Sequence, residues 1–122
     1  MRLKYKIGAI SALAIGLASI LTPASAEQAS NRKALQGDRL FEYHGCVNCH
    51  GVQGKNPVTK KVPQIGGKEA DYIVAEAGKI LRGERDSDEA KLMHSALAYQ
   101  AACDAPPTDE ELEKIAAWLS KQ

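Results

Sequence analysis

Cys46-Val47-Asn48-Cys49-His50 sets two thiols three positions apart and an imidazole directly after the second. On a helical turn, residues three and four apart share one face, so all three side chains can address one flat ligand. Two thiols can add to the two vinyl groups of a haem as thioethers while the imidazole binds the iron from one side, and C-x-x-C-H is the pattern of such covalent attachment. Thioredoxin-like dithiols and half zinc sites share the bare C-x-x-C, but no second C-x-x-C and no H-x-x-x-H completes a zinc site in this chain. The expected cofactor is one covalent haem c on Cys46 and Cys49, with His50 as the proximal axial ligand of the iron.

The first 26 residues indicate a compartment. Arg2, Lys4 and Lys6 form a basic start, the 15 residues from Ile7 to Leu21 carry no charge, and Ala24-Ser25-Ala26 offers an A-x-A cleavage site before Glu27. This reads as a cleaved signal peptide over 1–26 and a mature domain over 27–122, exported to the periplasm. The competing reading is an uncleaved anchor, for which 15 apolar or small residues are short. No stable membrane span is expected in the mature chain.

A domain of this size buries a marginal core unless something is added to it. Its aromatic residues are Phe41, Tyr43, Tyr72, Tyr99 and Trp118, so a large apolar cofactor would fill a centre that side chains leave thin. Three of the 16 basic residues lie in the leader and none of the 15 acidic ones, which leaves a mature charge of −2. Neither that balance nor any basic stripe with interleaved aromatics suits a nucleic-acid binder.

Along the mature chain, the apolar spacing predicts helices and no strands. Leu35, Leu40 and Phe41 with Gly37 fit a first helix from Arg32 to about Tyr43. Glycines and prolines mark an irregular loop from Gly51 to Gly67, long enough to suggest that it wraps something. Ile73, Ala77, Ile80 and Leu81 predict a helix over Lys68 to Leu81, with Tyr72 and Val74 broadening its apolar side and Gly83 as its stop. Ala90, Met93, Ala96, Leu97 and Ala101 suggest another, broken by Asp104 to Pro107. Thr108 with Glu111 is a capping box, and Leu112, Ile115, Ala116 and Leu119 follow at helical spacing.

This arrangement resembles the class I, single-haem c-type cytochromes of bacterial periplasms over essentially the whole mature chain. The matching residues are Gly37, Phe41, the Cys46 to His50 motif, Pro63, Met93 and the C-terminal helix bearing Trp118. The resemblance implies an all-α fold of about three to five helices wrapped around one haem. It also implies a close crossing of the first and last helices at Gly37, with Phe41 and Trp118 packed there, and a second-shell role for the Pro63 carbonyl as acceptor for His50. A proline in a glycine-rich loop equally has an ordinary turn explanation.

The same resemblance implies a methionine as distal axial ligand, and Met93 is the sole methionine after Glu27. A thioether favours ferrous iron and raises the potential; the alternative for Met93 is a core filler beside Ala96 and Leu97. Thr108 lies 15 positions after Met93, farther than in the family's short members, which requires an insertion around Tyr99 to Pro107. His94 is the competing ligand, and His44 is expected at the surface. Cys103 is left without a partner in an oxidising compartment, either as a small buried residue or as an intermolecular disulfide to another chain. Lys55, Lys60, Lys61 and Lys68 border the haem loop, where they either steer an acidic partner or form a solvated surface.

The sequence thus predicts a carrier of single electrons by Fe(III)/Fe(II) cycling, not an enzyme by itself, working between a redox donor and an acceptor protein. One alternative is a haem c subunit of a periplasmic oxidoreductase complex. Another is a gas- or peroxide-binding haem protein with an open iron, should Met93 not ligate.

Overall fold

The computed structural model describes residues 30–101 and 105–122. They form helices α1 (Gly37–Tyr43), α2 (Val47–His50), α3 (Ala70–Leu81), α4 (Asp88–Ala101) and α5 (Asp109–Leu119), with a 3₁₀ turn at Val52–Gly54. Among the described residues there is no strand; the helices agree with those that the apolar spacing predicts, and the all-α architecture with the fold that the resemblance implies. No helix among them is long and apolar enough to cross a membrane. The leader and Cys103 lie outside the described residues.

The last helix begins where the capping box places it. Thr108 accepts from the Glu111 backbone N–H at 3.2 Å, and the Glu111 carboxylate accepts from the Thr108 backbone N–H at 2.9 Å. Asp109, Glu110 and Glu111 occupy the first turn, where the helix dipole favours negative charge. Leu112, Ile115, Ala116 and Leu119 are all buried, and against them lie Leu40 and Phe41 of α1 and Ile73 of α3. Leu40, Phe41 and Leu119 are the largest fully buried side chains, each contributing roughly 1.5–3 kcal/mol by leaving water.

The crossing of α1 and α5 depends on Gly37. A Cβ there would collide with the Lys114 carbonyl oxygen and stand 2.7 Å from the Trp118 Cβ. That closeness brings Phe41 and Trp118 together, with ring centroids 5.4 Å apart and planes tilted by 48°.

Two helix boundaries differ from the expectation, both for tertiary reasons. The predicted first helix from Arg32 is interrupted: residues 30–33 are helical, Gln36 is extended, and α1 starts at Gly37. The preceding turn is tied instead to α5 and the segment before it, through Lys114 Nζ to the Lys33 carbonyl at 2.9 Å and Arg32 to the Ala105 carbonyl at 3.2 Å. Helix α3 starts at Ala70 instead of Lys68, because the Gly67 N–H donates to the Leu119 carbonyl at 2.9 Å and holds that turn on the end of α5. It ends as predicted, with the Glu84 N–H reaching back to the Lys79 carbonyl at 2.8 Å. Tyr72 faces outward, 55% exposed, and does not broaden the buried side of α3.

Candidate haem site

The C-x-x-C-H run forms a single helical turn. His50 N–H donates to the Cys46 carbonyl at 3.0 Å and Gly51 N–H to the Val47 carbonyl at 2.9 Å, after which Gly51 turns the chain with φ 74°. A side chain at Gly51 would also collide with the Asn56 carbonyl, so the turn requires glycine on two counts. The loop that follows folds back on the motif. Val58 N–H donates to the Cys49 carbonyl at 3.0 Å, and both Ile65 and Gly66 donate to the Gly54 carbonyl, at 2.9 and 3.0 Å.

This folding-back brings the Pro63 carbonyl to 2.9 Å from His50 Nδ1. A carbonyl oxygen only accepts, so Nδ1 carries the proton and Nε2 is left with a lone pair. Burial lowers the His50 pKa below its ordinary range, and it outweighs the opposing effect of the Pro63 hydrogen bond. The result is a neutral imidazole in one tautomer, the form in which histidine binds a metal.

His50 and Cys46 line a cavity that is partly open to solvent. Phe41 from α1, Ile73, Ala77 and Leu81 from α3, Met93 and Leu97 from α4, and Leu112, Ile115 and Leu119 from α5 complete it with Ile65 and Pro107. The wall is apolar apart from His50 and the Cys46 sulfur. Burial pushes the Cys46 thiol up to about 11, which makes it a protonated thiol at neutral pH and unlike the activated thiolate of a dithiol redox catalyst. Cys46 is half-buried, Cys49 is exposed, and neither forms a disulfide. Among the described residues no group of three or more His, Cys, Asp and Glu could hold a metal ion. An apolar hollow among the helices, with one thiol and one neutral imidazole in its wall and a second thiol on the same turn, fits a flat covalently held haem.

Met93 is half-buried and lines the cavity, whereas His94 is exposed and its Nδ1 donates to the Ile80 carbonyl at 2.9 Å. Lys55, Lys60, Lys61 and Lys68 are all exposed along the loop that leaves the motif.

His44 is a correction. It was expected at the surface and is instead buried, 3% exposed, with Nε2 3.3 Å from Glu111 Oε2. Glu111 also meets Arg32 Nε at 3.1 Å. The capping box found Glu111, but nothing in local spacing pairs it with residues more than sixty positions away, and a histidine beside a motif gives no sign of its burial. Burial lowers the His44 pKa more strongly than the Glu111 charge raises it, and Arg32 lowers it further.

The family model for cytochrome c matches residues 34–122. No curated protein and no solved structure matches the chain. The family match takes in the motif, the cavity and the helix crossing, and the chain belongs to the cytochrome c family, whose cofactor is covalently bound haem c and whose work is haem-based electron transfer with redox partners.

Proposed function

We propose that this chain is a class I, single-haem cytochrome that carries single electrons in the periplasm, with thioether links at Cys46 and Cys49 and with His50 and Met93 as axial ligands. The observation that carries this reading is the shared cavity: a tautomer-fixed imidazole on α2 and a thioether on α4 enter the same apolar hollow. The basic, apolar and A-x-A sequence of residues 1–26 supports export, with the mature chain beginning at Glu27.

Bound there, the haem supplies one reversible electron through its Fe(III)/Fe(II) couple. The chain's own contribution is to fix and to exclude. Pro63 holds the His50 ring so that its free nitrogen keeps one orientation. The Met93 sulfur is a soft donor, which favours the reduced state and sets a higher potential than a second imidazole would. Phe41, Ile73, Leu112, Ile115 and Leu119 keep water from the centre, so little solvent has to reorganise when charge changes. If His50 and Met93 both hold the iron, no position would remain for a substrate, which is why the reading is a carrier and not an enzyme.

Acid-acetone treatment of protein made in a maturation-competent host tests the attachment. The haem should stay with the polypeptide, and release of free haem would overturn the thioether assignment. Met93→Ala should remove the far-red sulfur-to-iron band of the ferric protein and open the iron to added ligands. An unchanged band would exclude Met93, while His94→Ala should leave the spectrum as it is.

A further inference from the structure

Helix α4 has two largely apolar sides, and the fold covers one of them. Ala90 and Leu97 are buried, and Met93 lines the cavity. On the opposite side Leu92, Ser95, Ala96 and Tyr99 fall at i, i+3, i+4 and i+7, a single stripe in which all four residues are exposed. Leu92 and Tyr99 are the most exposed large apolar side chains among the described residues, at 69% and 81%. Single exposed apolar residues are ordinary, whereas a stripe in helical register is the form in which a helix packs against another surface.

The order of sizes along the stripe is self-complementary. It runs large, small, small, large, and so reads the same from either end. A two-fold contact uses the same patch on both copies, with residue i meeting j and j meeting i. Two α4 helices laid antiparallel about a point between Ser95 and Ala96 satisfy this, with Leu92 opposite the second copy's Tyr99 and Ser95 opposite its Ala96. Helical side chains lean towards their own N-terminus, so each Tyr99 ring lies over the small pair of the other helix.

The charges favour the same arrangement. Asp88 and Glu89 occupy the first turn of α4, and its last turn carries no basic residue. Antiparallel pairing keeps the two acidic ends apart and sets the helix dipoles in opposition. Lys91, exposed beside the stripe, then falls level with the second copy's Gln100, where the last carbonyls of that helix have no cation of their own. Parallel pairing would instead set Asp88 and Glu89 against their own copies.

We propose that the outer face of α4 is a self-association surface, through which two copies of this protein pair antiparallel by Leu92, Ser95, Ala96 and Tyr99. The 14 residues of α4 present a strip about 21 Å long and about 10 Å wide. That is well below the roughly 800 Å² per partner of a standard stable interface, so the pairing is weak and reversible. It is independent of haem ligation, because neither Leu92 nor Tyr99 lines the cavity.

Sedimentation equilibrium of the haem-loaded protein tests this, with Cys103→Ser in every sample so that no disulfide contributes. Half of the chains should be paired at roughly 0.1–1 mM, the weak end of non-covalent affinity. Leu92→Lys and Tyr99→Glu should each weaken the pairing by about tenfold or more while leaving the haem spectrum unchanged. The double variant should pair more tightly than either single one, since the antiparallel register sets each new lysine against a new glutamate. A protein that stays monomeric to about 1 mM, or single variants that pair as tightly as their parent, overturn the surface. A double variant no tighter than the single ones overturns the antiparallel register.

Discussion

Gly37 lies so close to Lys114 that a Cβ on the glycine would collide with the Lys114 carbonyl oxygen, with backbone on one side of the contact and no flexible side chain to give way. Only glycine lets α1 and α5 approach to this distance. Phe41 and Trp118, one turn along each helix, depend on the same approach for their 5.4 Å ring contact.

Gly37→Ala therefore forces the helices apart. The expected cost is that of an overpacked core, about 1–3 kcal/mol or more. In a domain of this size each kcal/mol moves the melting temperature by roughly 4–8 °C. Thermal denaturation of the haem-loaded protein measures this. The Gly67→Ala variant serves as a contrast, because its Cβ would meet only the Gln122 carbonyl oxygen at 3.4 Å and its cost would come from the φ of +82°. Equal losses in the two variants would show that the helix crossing is not the source.

The start of α5 permits a graded test. Thr108→Ala removes one side-chain acceptor from the helix N-terminus, which is worth about 1 kcal/mol. Glu111→Ala removes the other half of the box and also leaves Arg32 and His44 facing a void, so its loss should be nearer the 3–5 kcal/mol or so typical of a broken buried pair. Urea unfolding of the two variants checks the order. A Glu111→Ala loss no greater than that of Thr108→Ala would mean that the buried pairing adds nothing beyond the cap.

His44 also gives stability a pH dependence with a definite sign. Its folded pKa lies below 6.5, so the unfolded chain binds the proton more readily. The stability associated with a neutral His44 is complete above about pH 6.5, the unfolded value, and is lost as pH falls toward the folded pKa. Glu76 and Glu84 are held below the ordinary carboxylate value of 4.5 by Lys79 and Arg82, so their losses fall at lower pH. Denaturation midpoints should decline between these two regions in wild type, and less in His44→Gln. Parallel curves for the two proteins would remove His44 from the account.

The parts of this structure that were legible in the sequence are those that local chemistry determines. The motif turn, the capping box at Thr108 and Glu111, and the inward spacing of Leu112, Ile115, Ala116 and Leu119 each need only a few neighbouring residues to be recognised. The role of Gly37 and the Phe41 to Trp118 contact were available through family resemblance alone, since no periodicity announces which glycine touches a distant backbone. The break before α1 and the burial of His44 were not legible. Both follow from Arg32, Lys33 and His44 meeting the α5 region across more than sixty residues, where side-chain geometry and not spacing decides the outcome.

The exposed loop after the motif gives the final prediction. Val58 is anchored to the Cys49 carbonyl at 3.0 Å, so Val52 and Val58, 67% and 62% exposed, are held beside the attachment turn, with Lys55, Lys60 and Lys61 exposed on the same loop. Screening over about 8 Å at physiological salt makes these nearby charges matter more to an approaching partner than the net charge of the chain. A partner with acidic groups would therefore be drawn to this loop. Reversing Lys60 and Lys61 to Glu should slow bimolecular electron exchange with such a partner at low salt and flatten its ionic-strength dependence, while leaving the haem spectrum intact, because neither side chain lines the cavity. Stopped-flow rates over a salt series measure both effects. Wild-type rates at low salt in the double variant would move the docking face away from this loop, and the acidic first turn of α5 around Asp109 and Glu110 would be tested next against a basic partner.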